Sequence, residues 1–196
     1  MLPAQRTLAA RKNAIQIAQQ KLAQKPVYID TETTGIAVSD EIIEISIVDD
    51  DGKILFESLV RPTQRIHPDA MKTHHITDEM VARAPTWPAL WPTIRSYLVT
   101  RVVATYNADF DLRMMQQSHA RYRLPWKETF NMFCVMKLFA EYRGEWDPNR
   151  RSYRWHRLED AGRICNIALP NSHRASDDTL LARALLHFMA ETELPT

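Results

Sequence analysis

Two carboxylates separated by one residue close the stretch Val27-Tyr28-Ile29-Asp30-Thr31-Glu32-Thr33-Thr34-Gly35. Val27, Tyr28 and Ile29 favour extended backbone and follow Pro26, so they read as the first strand of a buried sheet, with Asp30 at its end. Alternate side chains of a strand share a face, so Asp30 and Glu32 project together while Thr31 points away. At about 4 Å, two carboxylates repel by roughly 4 kcal/mol at an effective dielectric near 20, and a bound divalent cation reverses that cost. Oxygen-only ligation suits hard ions such as magnesium or manganese. Gly35 lets the backbone approach a phosphate or sugar closely. The bland alternative is a solvated Asp-x-Glu at a strand end, a common arrangement.

Two further stretches place ionisable residues where a core should begin. Tyr106-Asn107-Ala108-Asp109-Phe110-Asp111 follows the apolar run 102–105 and opens a helix. Its acids therefore lie at the sheet edge where open α/β folds bind ligands. Asp109 reads as a helix cap, which leaves Asp111 as the candidate. His173-Arg174-Ala175-Ser176-Asp177-Asp178, after Pro170, leads into the last helix. Helical phase does not separate Asp177 from Asp178 as a ligand.

The elements that must carry these residues follow from pattern. Residues 4–24 make a good helix sequence with Leu8, Ile15 and Leu22 at seven-residue spacing. This narrow stripe packs the helix on its own domain or, in the sharper reading, serves docking or self-association with a basic outer face. Residues 41–49 and 53–60 are apolar and β-branched, joined by Asp50-Asp51-Gly52 as a hairpin turn. Thr77 starts a short helix, and 86–98 forms another that turns Trp87 and Trp91 to the core. A fourth strand spans 102–105 and a fifth 129–133; helices follow at 109–120, 135–142, 158–165 and 179–190. Hairpin strands first, then alternating strands and helices, predict a mixed five-stranded α/β sheet flanked by helices.

With 196 residues, 45% of them hydrophobic, the chain can bury a proper core. Its net charge of +1 says nothing of partners, but no acid precedes Asp30 while Arg6, Arg11, Lys12, Lys21 and Lys25 do. The expected division is a basic helical extension, 1–25, and one domain, 26–196. Cys134 and Cys165 are too few for a disulfide framework, and there is neither a secretory core nor a membrane-length apolar run. A reducing cytoplasm is the expected setting, with no membrane partner.

Asp30-Thr-Glu32-Thr-Thr-Gly, Asn107-Ala-Asp-Phe-Asp111 and His173-Arg-Ala-Ser-Asp-Asp178 together resemble the three motifs of the DEDDh (DnaQ-like) 3′→5′ exonucleases, the group of the polymerase III epsilon proofreading subunit, ribonuclease T and oligoribonuclease. The resemblance covers roughly 26–189, and Thr73-His74-His75-Ile76-Thr77 is similar to the group's His-Gly-Ile-Thr segment. It implies a ribonuclease H-like fold and a two-metal mechanism with Mg2+ or Mn2+. Asp30, Glu32 and Asp178 are implied to hold one ion and Asp30 to help hold the second. Asp111 is implied to act directly or through water, and the family's spacing from the histidine favours Asp178 over Asp177. His173 is implied as the general base, since a histidine ordinarily titrates near about 6.5 and suits taking a proton near neutrality. Thr33, Thr34 and Gly35 are implied to line the terminal nucleotide pocket, supported by His74 and Asn107.

The implied reaction releases nucleoside 5′-monophosphates from the 3′ end of nucleic acid. The Asp-Thr-Glu-Thr-Thr-Gly form leans to single-stranded DNA and to DNA repair; an exoribonuclease on the same scaffold is the alternative. A ribonuclease H-like binding module that has lost catalysis is a second class, opposed by competent side chains at every motif position. A zinc or iron hydrolase using His74 and His75 lacks a matching His/Cys set. His75 stands where the family has glycine, which questions the local turn. The chain stops soon after its last helix, without the long tail by which the epsilon subunit joins its polymerase, so a free-standing nuclease is expected.

One more stretch carries chemistry. Residues 141–157 interleave Arg143, Arg150, Arg151, Arg154 and Arg157 with Tyr142, Trp146, Tyr153 and Trp155. Asp147-Pro148-Asn149 breaks the preceding helix, so an exposed loop is expected. The tryptophans either turn inward as core, with the arginines as a solvated rim, or stack the bases of an incoming single strand.

Overall fold

The computed structural model describes residues 3–169 and 173–193, so Pro170 lies outside the described residues. In chain order the elements are α1 (Pro3–Ala23), β1 (Val27–Thr33), β2 (Ile42–Val48), β3 (Ile54–Leu59), α2 (Pro68–His74), α3 (Asp78–Val81), α4 (Trp87–Leu98) and β4 (Val102–Thr105). They continue with α5 (Ala108–Arg121), β5 (Asn131–Cys134), α6 (Val135–Arg143), β6 (Trp146–Asp147), β7 (Ser152–Tyr153), α7 (Leu158–Ile164) and α8 (Ala175–Glu191). The main sheet runs β3-β2-β1-β4-β5. β3, β2 and β1 are antiparallel neighbours, whereas β4 and β5 join parallel to β1, which gives the expected mixed sheet. Gly52, at φ +90°, makes the tight β2–β3 turn that a side chain would strain.

Alternation along β1 sorts the core. Tyr28 packs with Ala14, Ile15, Phe139, Leu185 and Leu186 on the side of α1, α6 and α8. Val27 and Ile29 pack with Trp87, Ile94, Met114 and Met115 on the side of α4 and α5. Asp30 and Glu32 share the parity of Tyr28 and so face α8. α1 is built into the same cluster as α6 and α8 through Ala14, Ile15 and Ala18, while Leu8 stays 39% exposed. In α4, Trp87 is buried and Trp91 packs on it with ring centroids 5.4 Å apart.

Three expectations need correction, and one helix lies outside them. Asp30 is not at a strand end: β1 continues to Thr33, with Asp30 opposite Ser46 and Glu32 opposite Glu44, because the apolar run of β2 pairs along it. α2 was not expected, since its segment has no apolar periodicity; Pro68 at its start was the available signal. The last helix begins at Ala175 rather than 179, so Asp178 sits within its first turn. Residues 146–153 are not an open loop but an antiparallel hairpin, β6 against β7. Among the described residues, no helix is long and apolar enough to cross a membrane.

Candidate active site

Asp30 and Glu32 reach from β1 toward α8, whose first turn delivers Asp178. One carboxylate oxygen from each of these three residues lies within 4.8 Å of the others. Asp178 Oδ1 is buried without a hydrogen-bond partner among the described residues. Asp111 comes from the first turn of α5 and is buried. The Thr31 hydroxyl donates to its Oδ1 at 2.9 Å and the Thr105 hydroxyl to its Oδ2 at 2.5 Å. Thr31, pointing opposite to Asp30 and Glu32, thus ties β1 to α5.

Every one of these carboxylates resists ionisation. Burial holds Asp30 well above the usual carboxylate range, reinforced by Asp111, Glu32, Asp178 and Glu44. Burial lifts Glu32 to about 9, with Asp178, Glu44 and Asp111 adding to it and Arg174 opposing. Asp178 rises to about 7 through burial, Asp177 and Glu44. Asp111 rises to about 6 by burial, held down by the two threonine hydroxyls. Oxygen-only donors, an orphaned buried oxygen and crowded negative charge fit a hard divalent cation.

His173 lies two residues before α8 at φ +52°, a conformation that non-glycine residues seldom adopt. Its Nδ1 is 4.0 Å from Asp178 Oδ2 and its side chain is half exposed at the mouth of the acidic cluster. Asp109 is not a cap: Asn107 takes that position, and Asp109 is exposed and pairs with Lys137 at 2.6 Å. Asn107 is exposed beside the site.

The Thr-Thr-Gly turn is held by its own hydroxyls. The Thr33 hydroxyl donates to Gly35 O at 2.7 Å. The Thr34 hydroxyl is fully buried, donating to Asp40 Oδ1 at 2.8 Å and accepting from Glu41 N and Gln64 Nε2. Both hydroxyls shape the turn. A Cβ on Gly35 would meet Asp40 Oδ2 at 2.6 Å and His67 Cδ2 at 2.7 Å, so the glycine is required by packing. Gly35, His67 and Thr73 line a cleft of about 410 Å³ beside this turn.

His74 is buried, and its Nδ1 accepts from the Ile76 N–H at 3.0 Å, so Nε2–H donates to Thr33 O at 3.2 Å. Burial lowers its pKa and favours this neutral form. His74 therefore braces the end of β1, and with both nitrogens occupied it is no zinc or iron ligand. His75 resolves the question of the missing glycine: it takes the left-handed conformation itself, at φ 60°, and closes α2 through its N–H to Met71 O.

Sequence reasoning missed Glu44. It lies buried in β2 across from Glu32, within 3.0 Å of Arg174 Nε through both oxygens and 2.9 Å from Ala175 N. The signal was a carboxylate inside the apolar run Ile42-Ile43-Glu44-Ile45.

The family model for the RNase T exonucleases matches residues 27–186. An uncharacterized exonuclease, CP81 of Escherichia phage 186, is 37% identical over 90% of this chain and 93% of its own length. Exodeoxyribonuclease 10 of Escherichia coli K12 is 33% identical over 81% of this chain and 65% of its own length. The solved structure of exonuclease X with 5′-overhanging duplex DNA superposes with a TM-score of 0.61 at 30% identity, covering 83% of this chain and 90% of that one. The chain belongs to the RNase T (DnaQ-like) exonuclease family, whose members act on nucleic acid.

Proposed function

We propose that this chain is a 3′→5′ exonuclease that removes nucleoside 5′-monophosphates from a 3′ end, with single-stranded DNA as its favoured substrate. The convergence of Asp30, Glu32 and Asp178 within 4.8 Å carries the proposal. Asp30, Glu32 and Asp178 would hold one Mg2+ or Mn2+, and Asp30 would help hold a second, with Asp111 acting directly or through water. Such a pair of ions supplies charge neutralisation at the attacking and leaving oxygens.

His173, at the rim of the cluster, takes the proton of the attacking water. A P–O bond forms in line with the bond that breaks, and the 3′ oxygen of the shortened strand leaves. Asp111, clamped by Thr31 and Thr105, keeps its carboxylate fixed during this displacement. The cleft lined by Gly35, His67 and Thr73 receives the terminal nucleotide, supported by Thr33, Thr34, His74 and Asn107. DNA as substrate is supported by the similarity to a chain named exodeoxyribonuclease 10 and to one solved on DNA. A reducing cytoplasmic setting agrees with the two free cysteines, Cys134 and Cys165.

Single-stranded DNA, duplex DNA and RNA of one sequence, each offered with magnesium and with manganese, test the reading. Mononucleotide 5′-phosphates, released fastest from single-stranded DNA, are expected. Faster release from RNA would move the substrate to the ribonuclease branch. Strand binding without release under either ion would favour the non-catalytic class.

A further inference from the structure

The segment after α6 puts aromatic surface where the buried core does not need it. In the β6–β7 hairpin, Trp146 lies opposite Tyr153, their rings edge to face with centroids 5.4 Å apart. Asp147 fixes the tip by accepting from the N–H groups of Asn149 and Arg150 at 2.9 and 3.2 Å. Trp155 follows β7, stays 53% exposed and belongs to none of the three buried clusters among the described residues. Trp155 shares one cleft with Trp146 and Tyr153, so the three rings form a joined aromatic surface rather than a scattered exposed residue.

Trp155 stands between two clefts. One, of about 320 Å³, is lined by Lys137, Trp146 and Tyr153. The other, of about 450 Å³, is lined by Arg150 and Arg154 with Glu145 and Asp147. Arg150 is only 3.7 Å from Asp147 at best, and Arg150, Arg151 and Arg154 are exposed. Aromatic walls beside exposed guanidinium groups match a base with its phosphate, not an apolar peptide.

The first cleft is tied to the helix turn that carries Asp111. Lys137 pairs with Asp109 in the first turn of α5, the turn that delivers Asp111. Tyr106, at the end of β4, donates its hydroxyl to His156 O at 2.8 Å and anchors the hairpin's exit to the same sheet edge. The hairpin is thus tied to β4 and α5, the two elements that lead into Asp111.

We propose that this hairpin is a second nucleic-acid contact, stacking bases on the 5′ side of the scissile bond against Trp155 while Arg150 and Arg154 hold phosphates. The proposal rests on the exonuclease reading for the direction of the strand. Binding of a labelled single-stranded oligodeoxynucleotide to the full chain in EDTA tests it apart from turnover, with circular dichroism confirming that each variant folds.

Trp155→Ala should weaken binding by roughly 5- to 100-fold, Trp155→Phe should restore most of it, and Arg150→Ala with Arg154→Ala should lower the salt slope by about 0.7 per lost contact. Turnover at saturating substrate should persist in all of them. Wild-type binding and salt slope in the alanine variants would overturn the proposal even if the enzyme is an active exonuclease. Weakened binding in a chain that hydrolyses nothing would uphold the contact and sink the exonuclease reading instead.

Discussion

Glu44 on β2 grips the start of α8: both its oxygens lie 3.0 Å from Arg174 Nε, and Oε2 accepts the Ala175 N–H at 2.9 Å. Arg174 itself offers no side-chain cap to the helix, so a carboxylate 131 positions away does the capping. The grip sets the position of His173 on one side and Asp178 on the other. Glu44 also adds negative charge to the cluster, and its cost there is offset by the bidentate Arg174 pair.

Glu44→Ala should therefore act at a distance. Losing a buried charged hydrogen-bond partner is expected to lower stability by about 2 kcal/mol, discounted because the Arg174 side chain is half exposed. kcat should fall while KM for the strand changes little, and Glu44→Gln, which keeps an acceptor for Ala175 N–H, should recover part of it. Unaltered kcat in a folded Glu44→Ala variant would show that α8 needs no such anchor.

The raised carboxylates make a signed prediction for the metal-free protein. Asp111, Asp178 and Glu32 hold protons to about 6, 7 and 9 in the fold, whereas unfolded carboxylates release them near about 4. The native state thus binds more protons than the unfolded state across that window, and stability must fall as pH rises from about 4 toward 9. Melting temperatures in EDTA should decline over this range, and manganese should flatten the decline. A melting temperature that climbs from acid to alkaline pH in EDTA would refute the electrostatic picture.

Relief of the same repulsion should appear in variants. Glu32→Gln or Asp178→Asn is expected to cut turnover by about a hundredfold or more and yet to raise the melting temperature in EDTA. Near-normal turnover in either variant would remove that residue from the ligand set.

His173→Ala is expected to slow hydrolysis by about 10²- to 10⁴-fold, the usual worth of a positioned base. Hydrolysis close to the wild-type rate in that folded variant would remove His173 from the base role.

Much of this site was legible because it rests on short-range rules. Period-two alternation placed Asp30 and Glu32 on one face and Thr31 on the other, and β4 fell on Val102–Thr105 as read. The misses are where long-range bonds decide. α8 starts at Ala175 because Glu44 holds it there, a partnership no local pattern encodes. α2 lacks a periodic apolar face and ends on His75 in a left-handed turn usually signalled by glycine. The 146–153 hairpin turns at Arg151, φ 51°, without the Asn-Gly or Asp-Gly pair that marks such turns. The Thr34 hydroxyl bonds Asp40, a partner that only the fold brings beside it.

The central claim, hydrolysis from the 3′ end by the acidic cluster, is tested most directly with one oligodeoxynucleotide labelled at either end and incubated with magnesium. The account predicts that the 3′ label leaves at once as a mononucleotide while the 5′ label shortens through a ladder, and that Asp30→Asn abolishes both. A 5′ label released first as a mononucleotide, or a full ladder from Asp30→Asn, would contradict it.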